Sequence, residues 1–286
     1  MRLPRFRTLL RLFGVALLLA AALLAWMVHL SRAMPVVRET TVTMDYPADV
    51  EHRPVRIALI SDTHVSSARR AARLDRIIDL INAQKPDLVL MGGDYIGDPR
   101  AFEGHYPHDK LLPPFKRLKA PMGVVAVLGN HDVIRATHNP PPELKRGFAP
   151  AGITLLVNGA IRKGPLVIGG VDDFYEGRID IPRTRAAMRR RGGVPVMLAH
   201  TPDIFPMLDK TTPLLLAGHT HCGQVALPFW GAIYVPAQTG TRYACGRYDQ
   251  DGRTLVVSAG TGTSGLPIRL FAPPDLWIVT ITPRGK

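Results

Sequence analysis

The chain carries two kinds of apolar pattern. Residues 12–30, LFGVALLLAAALLAWMVHL, are apolar on every face of a helix, with His29 the one ionisable side chain. A helix that is apolar all round suits a bilayer better than a soluble core. As a helix this run spans about 28 Å, close to the hydrocarbon thickness of a membrane. From residue 55 the pattern changes to short apolar runs that alternate with amphipathic ones. Strands are expected at 55–60, 87–91, 123–128, 153–157, 166–171, 194–199, 214–217, 255–258 and 277–281. A helix is expected over 68–83, with Leu74, Ile77, Ile78 and Ile81 on one face and Pro86 stopping it. Such alternation predicts an α/β fold whose sheets are covered by helices. Residues 36–46 are β-rich and either link to the domain or edge it. Residues 228–252 have no clear period and read as an insertion or long loop.

The flanks of the apolar run give it a direction. Arg2, Arg5, Arg7 and Arg11 precede it, while Arg32 and Arg38 come after it, with Glu39 offsetting them in part. The positive-inside rule then leaves the N-terminus in the cytoplasm and sends the rest across the membrane. Trp26 fits an interfacial anchor. The expected division is a basic cytoplasmic tail at 1–11, a transmembrane signal anchor at 12–30, a linker and leading strand at 31–54, and one catalytic domain at 55–286. A cleaved signal peptide is the rival reading, with Ser31-Arg32-Ala33 as a small-x-small site. The apolar run is longer than the usual signal core of roughly 7–15 residues, which favours the anchor. Both readings export the domain.

The residues just past each strand carry the candidate chemistry. Ser61-Asp62-Thr63-His64 stands after the first strand, Gly92-Gly93-Asp94 after the second and Gly129-Asn130-His131-Asp132 after the third. His200 stands after the strand at 194–199, and Gly218-His219-Thr220-His221 after the next. Ligand sites in α/β folds gather at the carboxyl ends of strands. One polar residue there is a cap; five such endings in order point to a site. The glycines just before them let the backbone turn sharply and approach closely.

Charge and composition add little. The net charge is +13, mostly arginine, which suits an anionic partner such as a phosphate or a lipid head group and also fits simple solubility. No aromatic-basic platform or nucleic-acid motif is present, so no nucleic acid is expected. The two cysteines, Cys222 and Cys245, form no CxxC, which removes zinc-ribbon and thioredoxin chemistry.

Imidazole and oxygen donors of this kind suit Mn, Fe, Zn or Co rather than Cu(I) or iron–sulfur. Asp62, His64, Asp94, Asn130, His200, His219 and His221 are too many for one catalytic ion that keeps an open position. They suit two divalent ions with a bridging carboxylate, about 3.5–4 Å apart, the arrangement that activates water and clamps a phosphoryl group. On an extended segment, residues two apart face the same side, so His219 and His221 are expected to reach the ions together.

The ordered blocks Asp-x-His, Gly-Asp, Gly-Asn-His-Asp, a lone His and Gly-His-x-His resemble the calcineurin-like metallophosphoesterases over 55–225. The later GHTHCGQV, Leu-Pro-Phe and GTSGLPIR segments resemble the membrane-anchored bacterial YkuE/YaeI-like branch of that family, which implies a single pass through a bacterial inner (cytoplasmic) membrane with the domain on the extracytoplasmic side. The resemblance implies a four-layer α/β/β/α sandwich. It assigns Asp62, His64 and His221 to one metal and Asn130, His200 and His219 to the other, with Asp94 bridging. It makes His131 the non-ligand histidine that protonates the leaving oxygen or stabilises the transition state. Two positions depart from the pattern. Gly97 and Asp98 stand where the protein-phosphatase branch has Asp and Arg, which counts against a protein phosphatase and leaves Asp132 as the substitute partner for His131. Cys222 stands where glycine is usual, and is expected as a small neutral filler, with pairing to Cys245 as the less favoured alternative.

Other candidates have plainer readings. His105 and His108 are expected as solvated loop residues, and Arg69, Arg70 and Arg73 as a solvated helix face. Arg242, Arg247 and Arg269 are possible phosphate contacts in an Arg-rich chain. Phe229, Trp230 and Tyr234 either form an apolar lip for a lipid or pack the loop. The expected function is a membrane-anchored phosphohydrolase cleaving phosphodiester or pyrophosphate bonds in a lipid-linked or envelope-associated substrate. The alternative is an envelope or cell-wall binding protein with a metal site not used for turnover.

Overall fold

The structure, a computed structural model, describes residues 3–97, 113–133 and 142–285. His105, His108 and Asp98 lie outside the described residues. Helix α1 (Leu3–Arg32) runs past the apolar stretch at both ends. Its segment Phe6–Arg32 is long and apolar enough to cross a membrane, and is a candidate span.

Five strands lead into the first sheet: β1 (Val36–Met44), β2 (Val55–Ile60), β3 (Leu88–Met91), β4 (Val124–Ala126) and β5 (Ile153–Leu155). The next four enter the second sheet: β6 (Gly159–Lys163), β7 (Leu166–Gly170), β8 (Val194–Leu198) and β9 (Leu214–Ala217). A small hairpin, β10 (Ala226–Leu227) and β11 (Gly231–Ala232), precedes β12 (Gly246–Gln250), β13 (Arg253–Val257) and β14 (Asp275–Pro283). The first sheet has the order β1-β14-β2-β3-β4-β5 and the second β12-β13-β9-β8-β7-β6. From β2 to β5 the neighbours are parallel, as they are from β7 through β8 and β9 to β13.

Strand period two explains the layering. In β2, Ile57 and Leu59 meet Ile168, Val196 and Leu216 of the other sheet, while Ala58 and Ile60 face the outer layer. That outer layer is helix α2 (Ala68–Ala83), which buries Ala71, Leu74, Ile77, Ile78 and Ile81. Beyond the second sheet, helix α5 (Ile181–Arg191) buries Ile181, Ala187 and Met188. The molecule is therefore an α/β/β/α sandwich. Two short helices, α3 (Asn130–Val133) and α4 (Pro142–Phe148), lie between β4 and β5.

Residues 36–46 edge the fold rather than link to it: β1 pairs with β14 in parallel from Val36 to Met44. Besides the small hairpin and α4, three further elements were not expected from the sequence. Strand β6 is a half-exposed edge with two charged residues, β12 lies inside the stretch read as a loop, and α5 carries five arginines and few apolar residues.

Candidate metal centre

The five strand ends meet at one edge of the two sheets. Asp62 and His64 come after β2, Asp94 after β3, and Asn130 opens α3 after β4. His200 comes after β8, and His219 and His221 after β9. Asp62, His64, Asp94, His200, His219 and His221 are all buried.

The donor atoms form two lobes around one carboxylate oxygen. Asp94 Oδ2 lies 3.5 Å from His64 Nε2 and 3.3 Å from His200 Nε2. On the first side, His221 Nε2 is 3.0 Å from His64 Nε2 and 3.4 Å from Asp62 Oδ1. On the second, His200 Nε2 is 3.2 Å from Asn130 Oδ1 and 3.1 Å from His219 Nδ1. Asp62, His64 and His221 form one group that could hold a metal ion, Asp94, His200 and His219 another, and His64, Asp94 and His131 a third that overlaps both. His131 Nε2 stands 3.9 Å from Asp94 Oδ2, and its ring lies edge-on to His64 with centroids 4.9 Å apart.

The backbone is bent to bring these groups together. Asp62, His64, Asp94, His219 and His221 have φ of 54°, 42°, 54°, 71° and 52°. Left-handed backbone costs a side-chain-bearing residue about 1–3 kcal/mol and persists where the surroundings dictate it. Here they do. Asp62 N–H donates to Gly93 O and His64 N–H to Asp94 O, while the amide of His219 donates to Asp62 Oδ2 at 3.0 Å. Close approach fixes the glycines: a Cβ on Gly218 would stand 2.1 Å from Ser61 Oγ, and one on Gly129 2.3 Å from Asp94 Oδ1. The expected extended geometry at His219-Thr220-His221 is corrected. Thr220 is αR between two left-handed residues, so the rings converge through turns and enter different lobes.

Ring orientation is set from behind. His200 Nδ1 donates to Gly92 O at 2.8 Å, leaving Nε2 for the centre. His219 is turned the other way, with Nε2 donating to Pro236 O at 2.8 Å and Nδ1 facing inward. Carbonyl acceptors behind a metal-facing imidazole fix its tautomer. Burial pulls His64 down to about 3 and His219 down to about 4, and holds His221 well below its ordinary value. These three rings are therefore neutral, as ligation requires. Burial works against the ionised forms of Asp94 and His200 too, yet their mutual attraction outweighs it, holding Asp94 well below and His200 well above its ordinary value; a cation between them would take the place of the His200 Nε2 proton. Burial, with Asp94 nearby, raises Asp62 to about 6, and Asp62 Oδ1 has no hydrogen-bond partner. A buried carboxylate oxygen without a donor is costly unless a cation meets it. The residues present thus fit metal ions.

Asp132 does not partner the His131 ring. Its carboxylate accepts from the amides of Asp94 (2.8 Å), Tyr95 (3.0 Å) and Gly129 (2.9 Å), tying the loop after β3 to the loop after β4. The reason is local: Asp132 sits in the first turn of α3, and its side chain turns back to the amides of both loops. His131 instead has Ser264 Oγ 3.4 Å from its Nε2.

Several expectations outside the cluster are corrected. Arg70 and Arg73 do not form a solvated face: Arg70 donates to His64 O at 2.9 Å, and Arg73 to Thr261 O at 2.6 Å. Arg269 is fully buried and donates to the carbonyls of Ala259, Gly262 and Ala272. Arg247 binds Asp249 and Thr41 O, and Arg242 binds Gln250. Cys222 and Cys245 form a disulfide rather than leaving Cys222 as a filler. Sequence reasoning also missed Tyr175 and Asp203. The Tyr175 ring stacks on His219 with centroids 5.1 Å apart, and its hydroxyl donates to Asp203. Asp203 also accepts from the Thr239 amide at 2.8 Å, which braces the loop carrying Pro236.

A cluster of this composition, at the strand ends of an α/β/β/α sandwich, defines a metal-dependent phosphoester hydrolase. The family model for calcineurin-like phosphoesterases matches residues 55–223, and the chain belongs to that family. It is 31% identical over 234 residues to the metallophosphoesterase YkuE of Bacillus subtilis (strain 168), covering 79% of this chain and 78% of that protein. It is also 31% identical over 235 residues to phosphodiesterase YaeI of Escherichia coli (strain K12), covering 80% and 82%. A Danio rerio transmembrane protein with a metallophosphoesterase domain is 26% identical over 240 residues, 78% of this chain and 52% of that protein.

Proposed function

We propose that the protein is a membrane-anchored, binuclear metallophosphohydrolase that cleaves phosphodiester or pyrophosphate bonds in a lipid-linked or envelope-associated substrate. The observation that carries the binuclear reading is Asp94 Oδ2, within 3.5 Å of a ring nitrogen from each lobe. Asp62, His64 and His221 would hold one ion, and Asn130, His200 and His219 the other, with Asp94 shared. Mn, Fe, Zn or Co suit these donors. Such ions, when bound, supply an activated water and neutralise developing charge on the phosphoryl oxygens.

The chain's own residues supply the rest. His131 is the general acid. Its Nε2 lies 3.9 Å from the shared Asp94 Oδ2 and 3.4 Å from Ser264 Oγ, so it can pass a proton to the leaving oxygen as the bond from phosphorus to that oxygen breaks. Water adds to phosphorus, and the products are a phosphomonoester and an alcohol, or two phosphates from a pyrophosphate. Asp132 positions His131 by holding α3 against the loop after β3.

Three features support the membrane side of the reading. Ser31, in the possible cleavage site, is buried and donates to Pro267 O at 2.8 Å, and the carbonyls of Arg32 and Ala33 accept from Arg73, so the site is built into the fold. The Cys222–Cys245 disulfide fits an oxidising compartment outside the cytoplasm. Phe229 and Trp230, 107% and 88% exposed at the hairpin tip, form an apolar lip. The hairpin is next to the anchor: the amide of Ala226 donates to Leu270 O, and the preceding Arg269 donates to Met27 O in α1.

Tethering the domain at 31–54 keeps the lip and the cluster near the bilayer. The full chain, purified in neutral detergent with Mn²⁺, tests the reading against bis-p-nitrophenyl phosphate and p-nitrophenyl phosphate. Metal-dependent diester cleavage lost in His131→Ala upholds it. Metal binding without turnover of any diester or pyrophosphate, lipid-linked ones included, would favour the binding-protein alternative.

A further inference from the structure

The domain face that meets the end of α1 contains a cavity of about 250 Å³. Five arginines line it: Arg32 from the last turn of α1, and Arg69, Arg70, Arg73 and Arg76 from α2. No acidic residue among the described residues lines it. The acids of α2 are engaged elsewhere, with Asp75 and Asp79 both paired to Arg117.

The five guanidinium groups divide into two sets. Arg70 and Arg73 form the wall. Arg70 donates to His64 O and to Thr263, and Arg73 to Arg32 O, Ala33 O and Thr261 O, joining α2 to the anchor and to the loop beside the metal cluster. Arg32, Arg69 and Arg76 are exposed, and their guanidinium groups make no hydrogen bond or ion pair with any described residue. Among the described residues no acidic group offsets their charge. Burial pulls Arg73 down to about 10, and Arg70 and Arg76 add to that by repulsion. A chain gains nothing in stability by concentrating like charges around a cavity, so the arrangement points to an anion.

Place and chemistry narrow the anion. The amino end of α2, capped by Ser67, opens into the same cavity and favours negative charge. Arginine forks match phosphate oxygens in pairs. Arg32 closes the candidate span, so on the anchor reading the cavity sits at the depth of lipid phosphates, where basic residues attract anionic head groups.

We infer that this cavity is a phosphate-binding site at the foot of the anchor, filled by the head-group phosphate of an anionic lipid, which seats the domain on the membrane beside its reaction centre. The position at the bilayer rests on the anchor reading; the site itself does not rest on turnover.

The test uses the full chain in neutral detergent, with binding measured by native mass spectrometry. The probes are dihexanoylphosphatidylglycerol, dihexanoylphosphatidylcholine and inorganic phosphate. The expected result is preferential binding of phosphatidylglycerol, weakened roughly fivefold per arginine removed in Arg69→Gln and Arg76→Gln. Neither side chain makes a hydrogen bond or ion pair with a described residue, so both variants are expected to stay folded. Arg189→Gln on α5 and His131→Ala keep the binding, which separates this site from the hydrolytic one. Inorganic phosphate binding as tightly, and lost in the same variants, upholds a phosphate site and makes its source soluble. Equal binding of phosphatidylcholine, or anion binding unchanged in the Arg69→Gln/Arg76→Gln variant, overturns the inference.

Discussion

The backbone amide of Arg269 donates to the carbonyl of Met27 in the apolar helix at 3.0 Å. The same residue sends its guanidinium under the metal cluster, to Ala259 O and Gly262 O at 2.7 Å each. One residue thus joins the apolar helix, through its amide, to the loop that walls the Asp62 lobe, through its side chain. Burial lowers its pKa to about 10, so it stays charged at neutral pH. Arg269→Met is expected to cost at least about 3 kcal/mol, because several buried carbonyls lose their donor together. Urea unfolding of the full chain in detergent measures the cost; a loss below about 1 kcal/mol would contradict the role.

The disulfide has a separate effect. It closes a loop of sequence separation 23 between the segment after His221 and the start of β12. Loop-closure entropy at this length is worth about 3 kcal/mol. Cys222→Ser/Cys245→Ser, or reduction, is expected to lower the unfolding midpoint accordingly and to weaken metal binding through His221. Unchanged stability under reductant would contradict this.

Acid sensitivity should trace in part to Asp203. Burial pushes its carboxyl up, but hydrogen bonds from Tyr175, Thr239 and Thr201 outweigh that, and its pKa in the folded protein lies below the ordinary value. The folded state then binds fewer protons than the unfolded one as the pH drops. The stabilisation is complete above the unfolded value, about 3.9, and is lost as the pH falls through the lower folded value. Asp203→Asn should be less stable at pH 7 and should show a shallower loss between about pH 4 and pH 2. Equal acid limbs in thermal melts would rule this out.

The hairpin lip predicts a split between substrates. Phe229→Ser/Trp230→Ser should leave cleavage of bis-p-nitrophenyl phosphate unchanged. Cleavage of a lipid-linked diester in mixed micelles should fall by roughly tenfold or more, given about 1.5–3 kcal/mol per buried aromatic. Equal losses on both substrates would assign the hairpin a structural role instead.

The candidate ligands were legible because parallel strands buried on both faces read as unbroken apolar runs, so Asp62, Asp94, Asn130, His200 and His219 stand out at their ends. Helix α2 was legible from the spacing of Leu74, Ile77, Ile78 and Ile81. Elements that bury little were not. Strand β6 exposes Arg162, and α5 presents arginine on most of its surface, so neither shows a clear period. Side-chain roles set by distant contacts were also hidden. Arg269 looks like a phosphate ligand in sequence and is a buried brace in the fold. Asp132, next to His131 in sequence, turns away to three amides. Tyr175 and Asp203 hold the His219 side of the cluster from a loop and a 3₁₀ segment that carry no motif.

The central claim is a two-metal centre bridged by Asp94, and metal content tests it most directly. The full chain is loaded with Mn²⁺, dialysed, and analysed for metal per chain beside Asp94→Ala and His200→Ala. The account predicts about two ions in the wild type, one in His200→Ala and less than one in Asp94→Ala. A wild type holding a single ion at saturation, or an Asp94→Ala variant that keeps the wild-type content, would contradict it.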